Sequence, residues 1–516
     1  MSDDKKVKEV LECSYEPLMQ EGHKLRSRRD LFAQGVYSLG AYVVLPSIST
    51  LALEKMAYGE CKSNDSASKG LAGMMCFDIA GGWNAAGNNV MVGMNDSQTN
   101  FIPDYSTLGL PAALHPDQVS LNEEFGLRFH PNSGFLAGLL EVTSATTRAK
   151  VDGAVFTCIS GDDTANNPHS PVFAIAKAAE RGKLVNIVGS NSNNVSGSRA
   201  QSPSELIDPA NRAVTISNDS SASSLVQLGK LTSEIFNGQN DSAELVMKKI
   251  KELSNSRLAK FNNTDMPKQL KELVDCGYIE AGGYLKKFDP AALNPLADNM
   301  VVGPNQTGVF KDSIANAVNY GTSGNISMNE LRRVRTMAKM VIDGLCSVST
   351  TIMGGYDYHQ RDRSETDAKD YRVGKSVGAS LELAARKGQD LIVYIYSDGA
   401  VSCDANVSDT SALGVRKFRT RSDSGTRSVA FMLVYGANGR PEIRNEGRQV
   451  GSFNSSGGVD RAFNLITNSP ENLTKAVVAN YLALHGKEDK LKDYIGTDPF
   501  GKDLDKYLVF GKFKAS

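Results

Sequence analysis

The segment Met353-Gly354-Gly355-Tyr356-Asp357-Tyr358-His359-Gln360 sets a carboxylate and an imidazole two residues apart. In extended backbone such residues share one face. Asp357 and His359 can then bind a metal ion together, or work as a base and the group that orients it. A second cluster comprises Asp162, Asp163, Asn166, Asn167 and His169. Its oxygens suit a hard cation, and the added imidazole suits a transition metal. The same residue types also cap helices and form Asx turns. Asp398, in Tyr396-Ser397-Asp398-Gly399, ends an apolar run and is a natural ligand position, although Asp-Gly is also a turn dipeptide. Asp78 stands just ahead of Gly81-Gly82, and Asp460 follows Gly457-Gly458-Val459. Arg416, Lys417, Arg419, Arg421 and Arg427 crowd a Ser- and Thr-rich stretch that reads as a loop. Arg416, Arg419 and Arg421 are candidates for gripping phosphate or sulfate bidentately. No nucleophile elbow, P-loop or complete dinucleotide fingerprint occurs.

These residues need a frame, and apolar patterning supplies one. Strand-like runs recur at Leu71–Ile79, Val90–Gly93, Val151–Ile159, Leu184–Gly189, Ala213–Ile216, Ser347–Met353, Leu391–Tyr396 and Ser428–Tyr435. Helical spacing lies between them, over Ser133–Val142, Pro171–Arg181, Ser221–Phe236, Asn329–Leu345, Asp367–Lys387 and Pro470–His485. Buried strands alternating with helices predict an α/β fold, a mostly parallel central sheet flanked by helices. In such sheets, functional residues gather beyond the carboxyl ends of the strands, which is where the clusters above fall. Residues 225–300 read as a largely helical insertion or cap. It divides the α/β core into 61–224 and 301–516. Ser190–Ser202 reads as an exposed loop.

The chain has 516 residues, 57 Lys+Arg against 58 Asp+Glu, and a net charge of -1. Near-neutrality gives no reason to expect nucleic-acid binding. Seven cysteines are scattered with no CxxC pair, against a structural zinc site. Cys76, Cys158 and Cys346 lie in apolar runs and read as buried free thiols. Removal of Cys13 with a leader would leave an even number able to pair in an oxidising compartment. Ser27-Arg28-Arg29-Asp30-Leu31-Phe32, followed by the moderately apolar run Leu31–Leu53, looks like a twin-arginine export signal, with Ala57-Tyr58-Gly59 as a small-residue cleavage site. Residues 1–60 are thus expected to engage the twin-arginine export machinery and carry the folded protein to the periplasm or cell exterior. The alternative is a cytoplasmic protein in which this run packs as an ordinary helix.

Gly81-Gly82-Trp83-Asn84, Gly126-Leu127-Arg128-Phe129-His130-Pro131, Gly354-Gly355-Tyr356-Asp357-Tyr358-His359 and Gly457-Gly458-Val459-Asp460 occur in this order. In that order the chain resembles the bacterial family called domain of unknown function 1501, over roughly residues 71–470. That family is similar to the alkaline phosphatase and sulfatase superfamily, and many members carry twin-arginine signals. The resemblance implies Asp357, His359, Asp398, Asp460 and, less directly, Asp78 as ligands of a divalent metal ion. Zinc, calcium, magnesium and manganese are not distinguished. Asp162, Asp163, Asn167 and His169 would line that site or hold a second ion. The implied activity is hydrolysis of phosphate or sulfate esters. The chain departs from the family pattern at its early strand, where no Ser or Thr nucleophile stands beside Asp78, and at two later places. Arg461 stands where the late motif has His, and Tyr396-Ser397-Asp398-Gly399 replaces Ser-Glu-Phe-Gly. The expected function is therefore an exported metal-dependent ester hydrolase. The alternative is a non-catalytic exported binding or assembly protein with a degenerate metal site.

Overall fold

The structure, a computed structural model, describes residues 70–161, 168–179, 182–190, 202–208, 211, 213–226, 252 and 288–515. Apart from Glu252 these belong to one compact unit, Asn64–Gly238 with Tyr284–Ser516; the other unit is Met1–Ser63 with Gln239–Gly283. The export segment with Arg28 and Arg29, and most of the expected insertion over 225–300, lie outside the described residues. No helix among the described residues is long and apolar enough to cross a membrane.

The apolar runs become strands of one sheet: β1 (Gly73–Ile79), β3 (Val151–Thr157), β4 (Ile187–Gly189), β5 (Val214–Thr215), β6 (Val348–Met353), β7 (Leu391–Tyr396) and β10 (Val429–Tyr435), completed by β11 (Gln449–Val450). The order is β11-β3-β10-β7-β1-β6-β4-β5. Only β10 runs against its neighbours; the rest are parallel, as near-continuous apolar strands require. A smaller sheet joins β2 (Gly82–Trp83), β8 (Gly399–Thr410) and β9 (Arg416–Asp423).

Helices cover both faces. Met74 and Cys76 of β1 join Tyr394 of β7 in a core with α2 (Val172–Ala178) and α5 (Pro470–Ala483). The opposite face takes α1 (Gly134–Val142), α3 (Met328–Ile342) and α4 (Arg363–Lys387). Ser327 caps α3 by accepting from Glu330 N–H at 3.2 Å, and Ser469 caps α5 through Asn472 N–H at 3.2 Å. The α1–α4 pair is unusually close. A Cβ on Gly138 would strike the backbone of Tyr371 and Lys375, and one on Gly374 would strike that of Phe135.

Two expectations need correction. Val90–Gly93 makes only isolated bridges, Val90 to Phe129 and Gly93 to Phe101. The basic stretch read as a loop is mostly strand β9, antiparallel to β8. Its inward residues are Lys417 and Thr420, so it lacks the apolar alternation that marks a strand.

Lys417 is fully buried because α4 supplies its partner. Its ammonium lies 3.0 Å from Asp367 and donates to Asn88 Oδ1 at 2.9 Å and the Asn132 carbonyl at 2.7 Å. One turn further along α4, the buried Asp370 carboxylate accepts from Trp83 Nε1 (2.7 Å), Tyr358 hydroxyl (2.9 Å), Asn89 (2.7 Å) and Asn88 (3.2 Å). Arg363, also buried, donates to Asn84 Oδ1 at 2.8 Å and to the Phe418 carbonyl. One face of one helix therefore anchors the loop after β1, the loop after β6 and strand β9. Replacing Asp370 with Asn keeps the volume but points an NH2 at two of these donors. Asp370→Asn is expected to cost roughly 2–4 kcal/mol in denaturant unfolding. An unchanged midpoint would remove Asp370 from that role.

Candidate functional site

The carboxyl edge of the sheet carries, strand by strand, Ser160 beyond β3, Arg427 just before the reversed β10, Asp398 beyond β7, Gly81 beyond β1 and Asp357 with His359 beyond β6. Neighbouring strands lie about 4.8 Å apart, so Arg427 and His359 are separated by roughly 14 Å of strand spacing.

The turn after β1 is tightly constrained. Gly81 has φ +117°, and a Cβ there would meet the backbone of Tyr356 and Asp357. Tyr358 N–H donates to the Gly82 carbonyl at 3.2 Å, so the loops after β1 and β6 lie against each other. Asp357 and His359 do come together: the imidazole Nε2 is 3.3 Å from Asp357 Oδ1. A third group joins them from strand β9, because Asp423 Oδ1 also contacts His359 Nε2. The three side chains are open to solvent, with His359 45%, Asp357 66% and Asp423 58% exposed. Two hydrogen bonds set this approach: Gln360 N–H donates to the Arg421 carbonyl at 3.0 Å, and Arg361 N–H to the Thr420 side chain, Oγ1, at 3.1 Å.

The other expected ligands are placed differently. Asp398 Oδ1 accepts from Gly81 N–H at 2.7 Å, which fixes the turn. Asp460 accepts from Ala462 N–H at 3.2 Å within its own loop. Asp78 is buried in β1, in register with Tyr396, and burial and the Asp78 charge together push the Tyr396 phenol up. Asp162, Asp163 and Asn167 lie outside the described residues. Among the described residues no group of three or more His, Cys, Asp or Glu is arranged to hold a metal ion.

His169 is buried and its Nε2 is 3.0 Å from Ser160 Oγ. This resembles a nucleophile and its base, but the hydrogen-bond directions argue otherwise. Ser160 donates to the Ser397 carbonyl at 2.9 Å, and a carbonyl can only accept. The hydroxyl therefore accepts from His169, which carries its proton on Nε2. Burial pushes the His169 imidazole down to about 4. The pair locks Ser397, whose hydroxyl lies 2.7 Å from both the Ile79 and the Gly81 carbonyls and donates its one proton between them.

The three candidate anion-binding arginines divide. Arg416 donates to Ser408, and Arg419 pairs with Asp409 at 2.7 Å and Asp362 at 2.6 Å. Arg421 is exposed on β9. Cys76, Cys158 and Cys346 are buried free thiols, as is Cys403, and burial raises all four. Buried, protonated thiols are poor nucleophiles. Sequence reasoning missed Asp423, which lies 64 residues from His359 and has no local signal. It grouped Arg427 with its basic neighbours without distinguishing it.

His130, in the motif Gly126–Pro131, is structural. Its Nε2 donates to the Leu114 carbonyl at 3.1 Å while Nδ1 accepts from Asn132 N–H at 3.1 Å, so the ring is held neutral. His485 Nε2 likewise accepts from Ala72 N–H at 3.1 Å. Against known proteins, the chain matches no family model, no curated protein and no solved structure.

Burial pushes His130 down to about 3 and His485, like His169, down to about 4. A folded pKa below the unfolded value of about 6.5 means stability is intact above that pH and lost as pH falls through it. Asp370 has the opposite sign: burial first, then Asp367, raises it to about 6, so its contribution improves as pH falls toward 4. Burial raises Asp96 and Glu330 too, but by less than it lowers the three imidazoles. Unfolding free energy should fall between about pH 6.5 and pH 4, with roughly 3 kcal/mol at stake per buried imidazole. His485→Gln keeps an acceptor for Ala72 and should flatten this slope. A variant with the wild-type slope would show that His485 does not contribute.

Proposed function

We propose that the protein is exported by the twin-arginine route, and that its ester-hydrolase-like α/β frame binds an anionic ligand at the carboxyl edge of the sheet without metal-dependent turnover. Export rests on Arg28-Arg29 and the apolar run behind them. The alkaline-phosphatase-like character of the frame rests on the ordered motifs. A large sheet, parallel but for one strand, and the position of three of the four motifs, those of Gly81, Gly354 and Gly457, at its carboxyl edge are compatible with it. The observation that carries the non-catalytic reading is Asp398. At the end of central strand β7, where the resemblance calls for a ligand, one carboxylate oxygen binds Gly81 N–H at 2.7 Å. That oxygen holds a turn.

A second reading, hydrolysis of a phosphate or sulfate ester, is favoured by one feature. His359 is exposed and flanked by Asp357 and Asp423, an arrangement suited to carrying a proton. In that reading the carboxylates orient the ring.

Two measurements test the proposal. Purified protein is expected to contain no stoichiometric divalent metal by elemental analysis and to leave generic phosphate and sulfate esters intact. Stoichiometric metal with ester hydrolysis that His359→Ala and Asp357→Ala abolish would establish the second reading. For export, the Arg28→Lys/Arg29→Lys double variant is expected to stay in the cytoplasm while the wild type leaves it. Equal export of both would remove the twin-arginine route.

A further inference from the structure

Two cations of the basic stretch meet carboxylates, a third meets a serine and Arg421 is exposed to water, whereas Arg427 is partly desolvated. Lys417 has Asp367, Arg419 has Asp409 and Asp362, and Arg416 has Ser408. Arg427 is half-buried, and its Nε is buried with no hydrogen-bond partner. Its Nη1 reaches only the neighbouring Thr426 hydroxyl, at 3.5 Å, and among the described residues no carboxylate pairs with it. A guanidinium cannot escape the cost of burial by losing its proton. A partly desolvated cation of this kind is stabilised by an anion.

The surroundings of Arg427 are shaped for one. The late glycine loop lies against it, held by Val459 N–H donating to the Thr426 carbonyl at 2.8 Å. A Cβ on Gly458 would collide with Arg427 Nη1, and would lie 3.5 Å from Asn454 Nδ2 and 3.6 Å from Thr426 Oγ1. The guanidinium thus packs against the bare Cα of Gly458, with a carboxamide NH2 and a hydroxyl beside it. The amide orientation is fixed, because Asn454 Oδ1 accepts from Ser456 N–H at 3.0 Å and Gly458 N–H at 3.2 Å. That leaves its NH2 on the Arg427 side. The Asp460 carboxylate is turned to Ala462 N–H.

We propose that Arg427, Thr426 and Asn454 form a binding site for a tetrahedral oxyanion, phosphate or sulfate, free or as a monoester, seated over Gly458. The site rests on the reading that the carboxyl edge of the sheet binds an anionic ligand. It identifies Arg427 as the charge that holds that ligand and Gly458 as the residue whose missing side chain lets the guanidinium lie where it does. Arg supplies two parallel donors to such an anion, and Thr426 and Asn454 supply donors from the sides.

Full-length protein is titrated with inorganic phosphate, inorganic sulfate and phenyl phosphate, and followed by calorimetry and by melting temperature. Phosphate or sulfate is expected to raise the melting temperature of the wild type by mass action. Arg427→Gln should abolish that rise, yet without anion melt no lower than the wild type, because an unpaired cation has been removed. Arg427→Lys keeps the charge without the fork and should bind more weakly. Gly458→Ala should weaken binding roughly tenfold or more. Arg421→Gln should bind as the wild type does. Tighter binding of phenyl phosphate identifies an ester as the ligand, and equal binding identifies the free anion. Anion binding undiminished in both Arg427→Gln and Gly458→Ala overturns this site while leaving an anionic ligand elsewhere on the edge. No binding by any of the three probes overturns both. Metal-dependent hydrolysis with Arg427-dependent phosphate binding overturns the non-catalytic reading and supports the site.

Discussion

The structure depends on a buried carboxylate, Asp370, that is closed off from solvent. Donors converge on it from the loop after β1 (Trp83, Asn88, Asn89) and the loop after β6 (Tyr358). Burial raises its pKa to about 6, and the hydrogen bonds work against that rise. Losing any one donor would leave charge facing a low-dielectric interior, so the loops are held together by a penalty as much as by an attraction. The neighbouring Lys417–Asp367 pair does the same for strand β9. A buried ion pair is weak evidence of net stability. Its effect here is positional: it fixes which residue of β9 faces inward and thereby where Asp423 emerges beside His359.

The same network explains what could be read in the sequence and what could not. Leu391–Tyr396 was legible residue for residue because both of its faces are covered, and burial wrote itself as an unbroken apolar run. Helix α4 was legible from Asp367 onward but begins at Arg363, since its first turn packs through a guanidinium and not through apolar contact. Strand β9 was not legible at all. Its inward face is Lys417 and Thr420, and a lysine reads as buried only when the distant Asp367 is known. The site divides similarly. The period-two spacing of Asp357 and His359 predicted their meeting, which depends on local backbone alone. Asp423 arrives through tertiary structure, and Asp398 turned out to be committed to a backbone N–H that no spacing rule reveals.

Backbone satisfaction is the recurring theme at the carboxyl edge. Asp398, Asp460, Ser397 and Ser160 are residues of the kind that ligate metals or attack esters, and each meets a main-chain group instead. The sharp turn at Gly81 creates the need. Its N–H and carbonyl fall outside the sheet ladder and must find partners in a crowded, nearly dry place. Side chains nearest the strand ends answer that need first, which leaves less of their hydrogen-bonding capacity for chemistry.

Charge accounting leads to the same conclusion from the other side. A protein of nearly balanced charge can pair almost every buried cation, and this one pairs Lys417, Lys339 and Arg335 with carboxylates within 3.0 Å. Arg363, buried too, has Asn84 Oδ1 and the Phe418 carbonyl in place of a carboxylate, whereas the Nε of Arg427 has no partner among the described residues, and Asp460 of the loop beside it is turned elsewhere. Stability alone would favour an uncharged residue at 427, because a guanidinium that is partly desolvated and unpaired costs free energy and contributes no compensating contact. The arrangement makes physical sense when the counter-charge comes from outside the chain. The edge of the sheet then divides its work, with carboxylates and hydroxyls holding the turns and an arginine left to hold the ligand.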